Sequence, residues 1–183
     1  MDIWEYDVTV DGWNSSKKIS EILSFKTKFT VRDAVSDLQN AFKKKYKVKY
    51  AIAMNSGASC LHAAMYAVGV KPGDEIICPS WTYIATAEAP AQLGATPFFV
   101  DVSYDSFNMD PSSFKQAIID CKRRGLNSAA VIPVDLFGQP ANVDQISTIA
   151  KSEGIKVLID GAQSFGAMYN GKKNRFANNY WYY

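Results

Sequence analysis

The feature that most constrains this chain is a regular alternation of short apolar runs with stretches at helical spacing. Apolar runs at Tyr50–Met54, Glu75–Cys78, Thr96–Val100, Ala129–Val134 and Lys156–Ile159 alternate with amphipathic stretches at about 31–46, 57–69, 82–93, 111–124 and 142–153. In the first of these Val31, Ala34, Val35, Leu38, Ala41 and Phe42 recur at the helical period, behind Thr30 and Asp33 as a capping box with the shorter acid. Gly69, Gly94, Gly125 and Gly154 close the later ones, where a left-handed residue ends a helix, and Asp110-Pro111 opens another. Strands separated by helices of this length are joined by crossovers, which make neighbours parallel and cover both faces of the sheet. The expected class is therefore α/β, a three-layer α/β/α arrangement around a mostly parallel sheet.

Composition narrows the partners. The net charge of +2 is too small for a nucleic-acid binder, and Lys43-Lys44-Lys45-Tyr46-Lys47 sits at an expected helix end, where cations complement the dipole. Cys60, Cys78 and Cys121 are odd in number and far apart, which fits neither a zinc site nor a disulfide framework. Their apolar surroundings suit buried free thiols. Neither a leader nor an apolar stretch of membrane-spanning length is visible, so no membrane partner is expected and the compartment reads as cytoplasmic. Residues 1–29 are polar and aperiodic, with Asn14-Ser15-Ser16 as a turn, and read as an N-terminal arm.

In such sheets ligands sit beyond the carboxyl ends of the strands. That singles out Asn55-Ser56-Gly57-Ala58-Ser59, Pro79-Ser80-Trp81-Thr82-Tyr83, Asp101, Asp135 and Asp160-Gly161-Ala162-Gln163. The first joins a strand to a helix. Free amides at a helix start, with small residues that permit close approach and a hydroxyl nearby, suit an anion, yet the same turn serves equally as a plain Ser/Gly cap. It is neither a Walker loop nor a dinucleotide fingerprint. Asp160 ends Val157-Leu158-Ile159, and its carboxylate either caps the following turn or pairs with a protonated pyridine nitrogen. Such a pairing favours the charged ring by roughly 1–3 pKa units. Gln163 is then within reach of a ring or phosphate oxygen. Tyr83 is either a half-buried aromatic at a helix start or a stacking platform for a flat, partly cationic ring. His62, between Leu61 and Ala63, has no second ligand or nucleophile at a telling spacing and reads as structural. No metal site and no catalytic residue is assigned.

The order and spacing of five blocks resemble the sugar-nucleotide aminotransferases of the DegT/StrS type, within the fold-type I pyridoxal-phosphate enzymes. The blocks are Ala53–His62, Val70–Thr86, Leu93–Val102, Pro133–Pro140 and Leu158–Ala167, and the resemblance covers about residues 30–173. It implies that Gly57, Ala58 and Ser59 hold the phosphate of pyridoxal 5'-phosphate, Tyr83 stacks on the ring, Asp160 pairs with the pyridine nitrogen and Gln163 contacts the ring's oxygen side. It also implies glutamate as amino donor, a nucleotide-linked keto sugar as acceptor, and a homodimer with its site at the subunit interface. Ala58 stands where a threonine is common in the family, which removes one phosphate contact.

A second departure is larger. The family's Ser-Phe…Lys segment, which supplies the lysine that holds the cofactor, should follow some tens of residues after the Asp…Gln pair, and this sequence carries no lysine after Lys173. Lys172 and Lys173 follow the turn signal Asn170-Gly171 and read as an exposed basic turn. The stretch 174–183, rich in Asn, Tyr and Trp, reads as a tail foreign to the family, of the kind a shifted frame or rearranged gene end produces. The expectation is a partial large domain over 30–173, C-terminally truncated and inactive alone, with any cofactor held non-covalently. The rivals are a non-catalytic cofactor- or nucleotide-sugar-binding module that associates with a full-length subunit, and a plain α/β nucleotide-binding domain.

Overall fold

The computed structural model describes residues 30–171, together with the backbone strand at Trp181–Tyr182. The arm expected over 1–29, the basic turn at Lys172 and Lys173, and the rest of the tail lie outside the described residues. The chain divides into two units, Met1–Asn40 and Ala41–Tyr183.

Helix α1, Val31–Tyr46, starts in the first unit, where the Asp33 carboxylate accepts from both the amide and the hydroxyl of Thr30 at 2.7 Å. Asp33 N–H donates back to Thr30 Oγ1 at 3.2 Å, which closes the expected capping box. These bonds hold the Asp33 carboxyl below its usual range. In the second unit the helix ends on Tyr46, whose ring lies 4.6 Å from Phe42 and 5.7 Å from Phe165.

The remaining elements follow in order: α2 Gly57–Val68, β1 Glu75–Pro79, α3 Ala85–Gln92, β2 Thr96–Val100, α4 Pro111–Arg123, β3 Ser128–Val131, a 3-10 turn Leu136–Gly138, α5 Val143–Ser152, β4 Lys156–Ile159 and β5 Trp181–Tyr182. The strand order is β2-β1-β3-β4-β5, and every described strand pair is parallel. The register sets Ile77 beside Phe98 and Val131, and Val131 beside Val157.

Side chains then alternate between two cores, as the two-residue period of a strand requires. Ile76, Cys78, Ala130, Ile132 and Leu158 face α2 and α3 through Leu61, Met65, Ala85 and Ala89. Ile77 and Val131 face α4 and α5 through Phe114, Ile118, Ile146 and Ala150. Both faces are covered, which gives the expected three layers. Cys78 and Cys121 are buried, and burial pushes the Cys78 thiol up to about 12. Cys60 is only half-buried, against the expectation of three buried thiols.

Two strand expectations change. Residues 50–54 form no strand, and Tyr50 and Ile52 are 72% and 74% exposed. An apolar alternation becomes a strand only when a neighbouring strand supplies a ladder, and the segment joins neither edge of the described sheet. Strand β3 ends at Val131 rather than Val134, because Pro133 has no N–H to give. Pairing resumes beyond the proline through a parallel bridge between Val134 and Asp160.

Candidate functional site

The chain leaves β1 for β2 on one side and returns to β3 on the other, so the order reverses between β1 and β3. In open α/β folds the carboxyl edge of the sheet at such a reversal is the place where ligands bind. The singled-out residues reach this edge from several elements. Helix α2 enters β1 through the short connection 69–74, so its first turn lies at the carboxyl edge, and α3 begins soon after β1 ends.

At the start of α2, Ser56 is the N-cap in extended conformation, and its Oγ accepts the Ser59 N–H at 3.2 Å. Cys60 N–H donates to the Ser56 carbonyl at 3.1 Å. The first four amides of a helix have no partner inside it. Here Ser56 takes one, the helix proper begins with Cys60, and among the described residues nothing accepts from the amides of Gly57 or Ala58. Those amides are the anion-ready donors. The Ser59 hydroxyl lies 2.9 Å from Ser56 Oγ.

Asp160, only 5% exposed, sits directly after β4. Its Oδ2 accepts from the Thr86 hydroxyl at 3.3 Å and its Oδ1 from the Ala162 amide at 3.1 Å. Thr86 N–H in turn donates to the Tyr83 carbonyl at 3.2 Å, which ties the start of α3 to the end of β4. Tyr83 is 71% exposed, so its side chain does not fill core. The backbone at Tyr83 is therefore linked to the Asp160 carboxylate through Thr86, a residue that the sequence reading missed. Its only signal was a hydroxyl between Ala85 and Ala87 on a helix face that is otherwise apolar.

Gln163 follows in the same turn, with its Oε1 accepting the Phe137 amide at 2.7 Å. Asp135, fully buried, holds this turn from the connection after β3: its Oδ2 accepts from Ser164 Oγ at 2.6 Å and its Oδ1 from the Ala141 amide at 2.8 Å. Its own N–H donates to the Asp160 carbonyl at 2.9 Å. Asp135 was singled out by position, but Ser164 and Phe137 were not. Asp101 serves locally, accepting from the Val102 amide at 2.8 Å. His62 is half-buried within α2. Among the described residues no acid, thiol or imidazole cluster could hold a metal, and no helix is long and apolar enough to cross a membrane.

A parallel sheet covered on both faces, with the Gly57 and Ala58 amides and a buried acid at its carboxyl edge, defines the class as an α/β protein of the open, parallel-sheet type. The chain belongs to the DegT/DnrJ/EryC1/StrS aminotransferase family, whose model matches residues 13–176. A UDP-2-acetamido-2-deoxy-3-oxo-D-glucuronate aminotransferase of Pseudomonas aeruginosa is 42% identical over 140 residues, which is 76% of this chain and 37% of that enzyme. The crystal structure of a DegT DnrJ EryC1 StrS aminotransferase from Brucella abortus superposes with a TM-score of 0.73 at 36% identity, over 82% of this chain and 39% of that one. NtdA from Bacillus subtilis, solved with bound cofactor PMP, superposes at 0.71 with 28% identity, over 86% of this chain and 35% of that one. The fold is thus that of the fold-type I aminotransferases, and the chain spans less than two-fifths of the length of these relatives.

Proposed function

We propose that this chain forms the cofactor-binding part of a pyridoxal-phosphate-dependent aminotransferase of amino-sugar biosynthesis, cytoplasmic and dimeric, that uses glutamate as donor and a nucleotide-linked keto sugar as acceptor. The observation that carries the reading is Asp160: a carboxylate withdrawn from water at the end of β4, steadied by Thr86 and Ala162. Such a group suits a cationic ring nitrogen. The rest of the edge fits the same ligand. Gly57 and Ala58 amides, with Ser59 beside them, suit its phosphate, Tyr83 offers a ring face, and Gln163 offers a side-chain NH₂. When bound, the cofactor supplies an electron sink for amine transfer. The substrate class is supported by the nucleotide sugar that names the Pseudomonas aeruginosa relative.

Within these 183 residues no side chain is assigned the proton transfer, since no lysine follows Lys173. The site therefore binds, orients and polarises, and we propose that the chain is inactive by itself. A rim of exposed apolar side chains at the same edge favours a second reading, a cofactor-binding module that docks on a full-length subunit. Trp81 is 59% exposed, Phe137 72% and Phe165 70%, and large exposed apolar side chains are the material of interaction surfaces.

Titration with pyridoxal phosphate, followed by absorbance, is expected to saturate at one site per chain. Dialysis should remove the ligand, and borohydride reduction should leave no uniformly labelled lysine on peptide mapping. Absence of saturable binding would overturn the cofactor reading, and homogeneous labelling of Lys172 or Lys173 would overturn the non-covalent part.

A further inference from the structure

Phe137 adopts φ 56° and ψ 20°, in the left-handed region that bulky residues avoid. Burial of its ring is not the reason, because the residue is 72% exposed and the ring meets only Phe107, edge-on at 6.3 Å, among the described aromatic contacts. What the conformation achieves is a backbone contact: Phe137 N–H lies 2.7 Å from Gln163 Oε1. A backbone N–H can only donate. The Gln163 atom that faces it must therefore be the oxygen, and the NH₂ is turned away from Phe137.

The turn around Phe137 is over-determined, as a strained backbone must be to persist. On one side Leu136 N–H donates to Asn108 Oδ1 at 3.1 Å, and Asn108 Nδ2 donates to the Gln139 carbonyl at 2.9 Å. On the other, Asp135 clasps Ser164 and Ala141. A Cβ added at Gly138, itself at φ +80°, would lie 3.1 Å from the Gln163 carbonyl, so the two turns touch.

We propose that Phe137 is a positioning residue whose left-handed backbone fixes the orientation of the Gln163 amide, so that the site offers a hydrogen-bond donor, and not an acceptor, to the anionic phenolic oxygen of the cofactor. The inference rests on the pyridoxal-phosphate reading. Hydrogen bonds to a charged acceptor are stronger than neutral ones and are lost when that atom is absent.

The test compares binding of pyridoxal phosphate with that of its analogue lacking the 3-hydroxyl, by the wild-type chain and four variants, each checked for an unchanged melt. Wild type should prefer the natural cofactor by roughly 10- to 100-fold. Phe137→Gly and Phe137→Asn tolerate positive φ and keep the N–H, so they should retain that preference although the aromatic ring is gone. Phe137→Val resists the left-handed conformation and should bring the ratio close to one. Gln163→Glu still accepts from Phe137 N–H but replaces the donor with a second carboxylate oxygen, and should reverse the preference. A purely structural role for Phe137 would shift both affinities together and leave the ratio intact, and that result in Phe137→Val would overturn the proposal. So would loss of the ratio in Phe137→Gly, or its persistence in Gln163→Glu should the valine variant not fold. Equal binding of both ligands by wild type would overturn this inference alone. Binding of neither would overturn the cofactor reading and the inference with it.

Discussion

Asp160→Asn should weaken pyridoxal phosphate binding by roughly 30- to 5,000-fold, the equivalent of about 2–5 kcal/mol for removing one charge from a buried ion pair. The size follows from burial. At 5% exposure the carboxylate is little screened by water, so its attraction for a cationic ring is far stronger than that of a surface pair. Asparagine is nearly the same shape, and its oxygen can still accept from Thr86 or Ala162, which both donate to Asp160. The fold should therefore survive, with the melt in the absence of ligand unchanged or raised, because a buried charge is removed. Alanine is the poorer choice, since it leaves the Thr86 hydroxyl and the Ala162 amide without their acceptor, at about 1–3 kcal/mol each. Parallel titrations of wild type and Asp160→Asn decide the matter: equal dissociation constants would show that Asp160 does no more than cap its turn.

The second large effect concerns turnover. Given pyridoxal phosphate, glutamate and a nucleotide-linked keto sugar, the 183-residue chain should release no 2-oxoglutarate above background, where enzymes commonly reach about 10 per second. Amine transfer needs a base that gives and takes a proton at the reacting carbon, and three charged groups at or near the carboxyl edge are committed elsewhere. Asp160 is proposed to hold the ring nitrogen. Asp135 is fully buried and bonded to Ser164 and Ala141. Lys45 approaches the same turn, yet its ammonium lies 5.4 Å from the ring centroids of both Tyr46 and Phe165, held over aromatic faces. Product formation at about 1 per second or faster would mean that a base has been overlooked.

Much of this was legible in the sequence, and the pattern of what was not is informative. Helices α4 and α5 could be placed within a residue or two because their signals are local: Asp110 caps α4 by accepting the Ser113 amide at 2.9 Å, and Asn142 does the same for α5 with Gln145 at 3.3 Å. The positions of Asp160, Tyr83 and Gly57 followed from the rule that parallel sheets bind ligands at their carboxyl edge, which needs only the order of the elements. Residues 50–54 show the limit of periodicity. The alternation is present, but a strand also needs a neighbour, and that is a property of the sheet.

The network around the acid could not be read at all. Thr86 meets Asp160 across a sequence separation of 74, Ser164 meets Asp135 across 29, and Phe137 meets Gln163 across 26. None of these pairs has a motif, because each is created by the packing of two crossover units. Phe137 is the extreme case, since its contribution comes from its backbone and its identity, if anything, argues against the conformation that it adopts.

Whether pyridoxal phosphate sits at the carboxyl edge is read most directly by a ¹H–¹⁵N correlation titration of the chain with that ligand. The backbone amides of Gly57 and Ala58 and the side-chain NH₂ of Gln163 should shift together and saturate at one equivalent, while the open polar pocket of about 490 Å³ lined by Asn108, Asn142 and Tyr169 stays unperturbed. Shifts confined to that pocket, or saturation that leaves Gly57, Ala58 and Gln163 unmoved, would contradict that placement of the ligand.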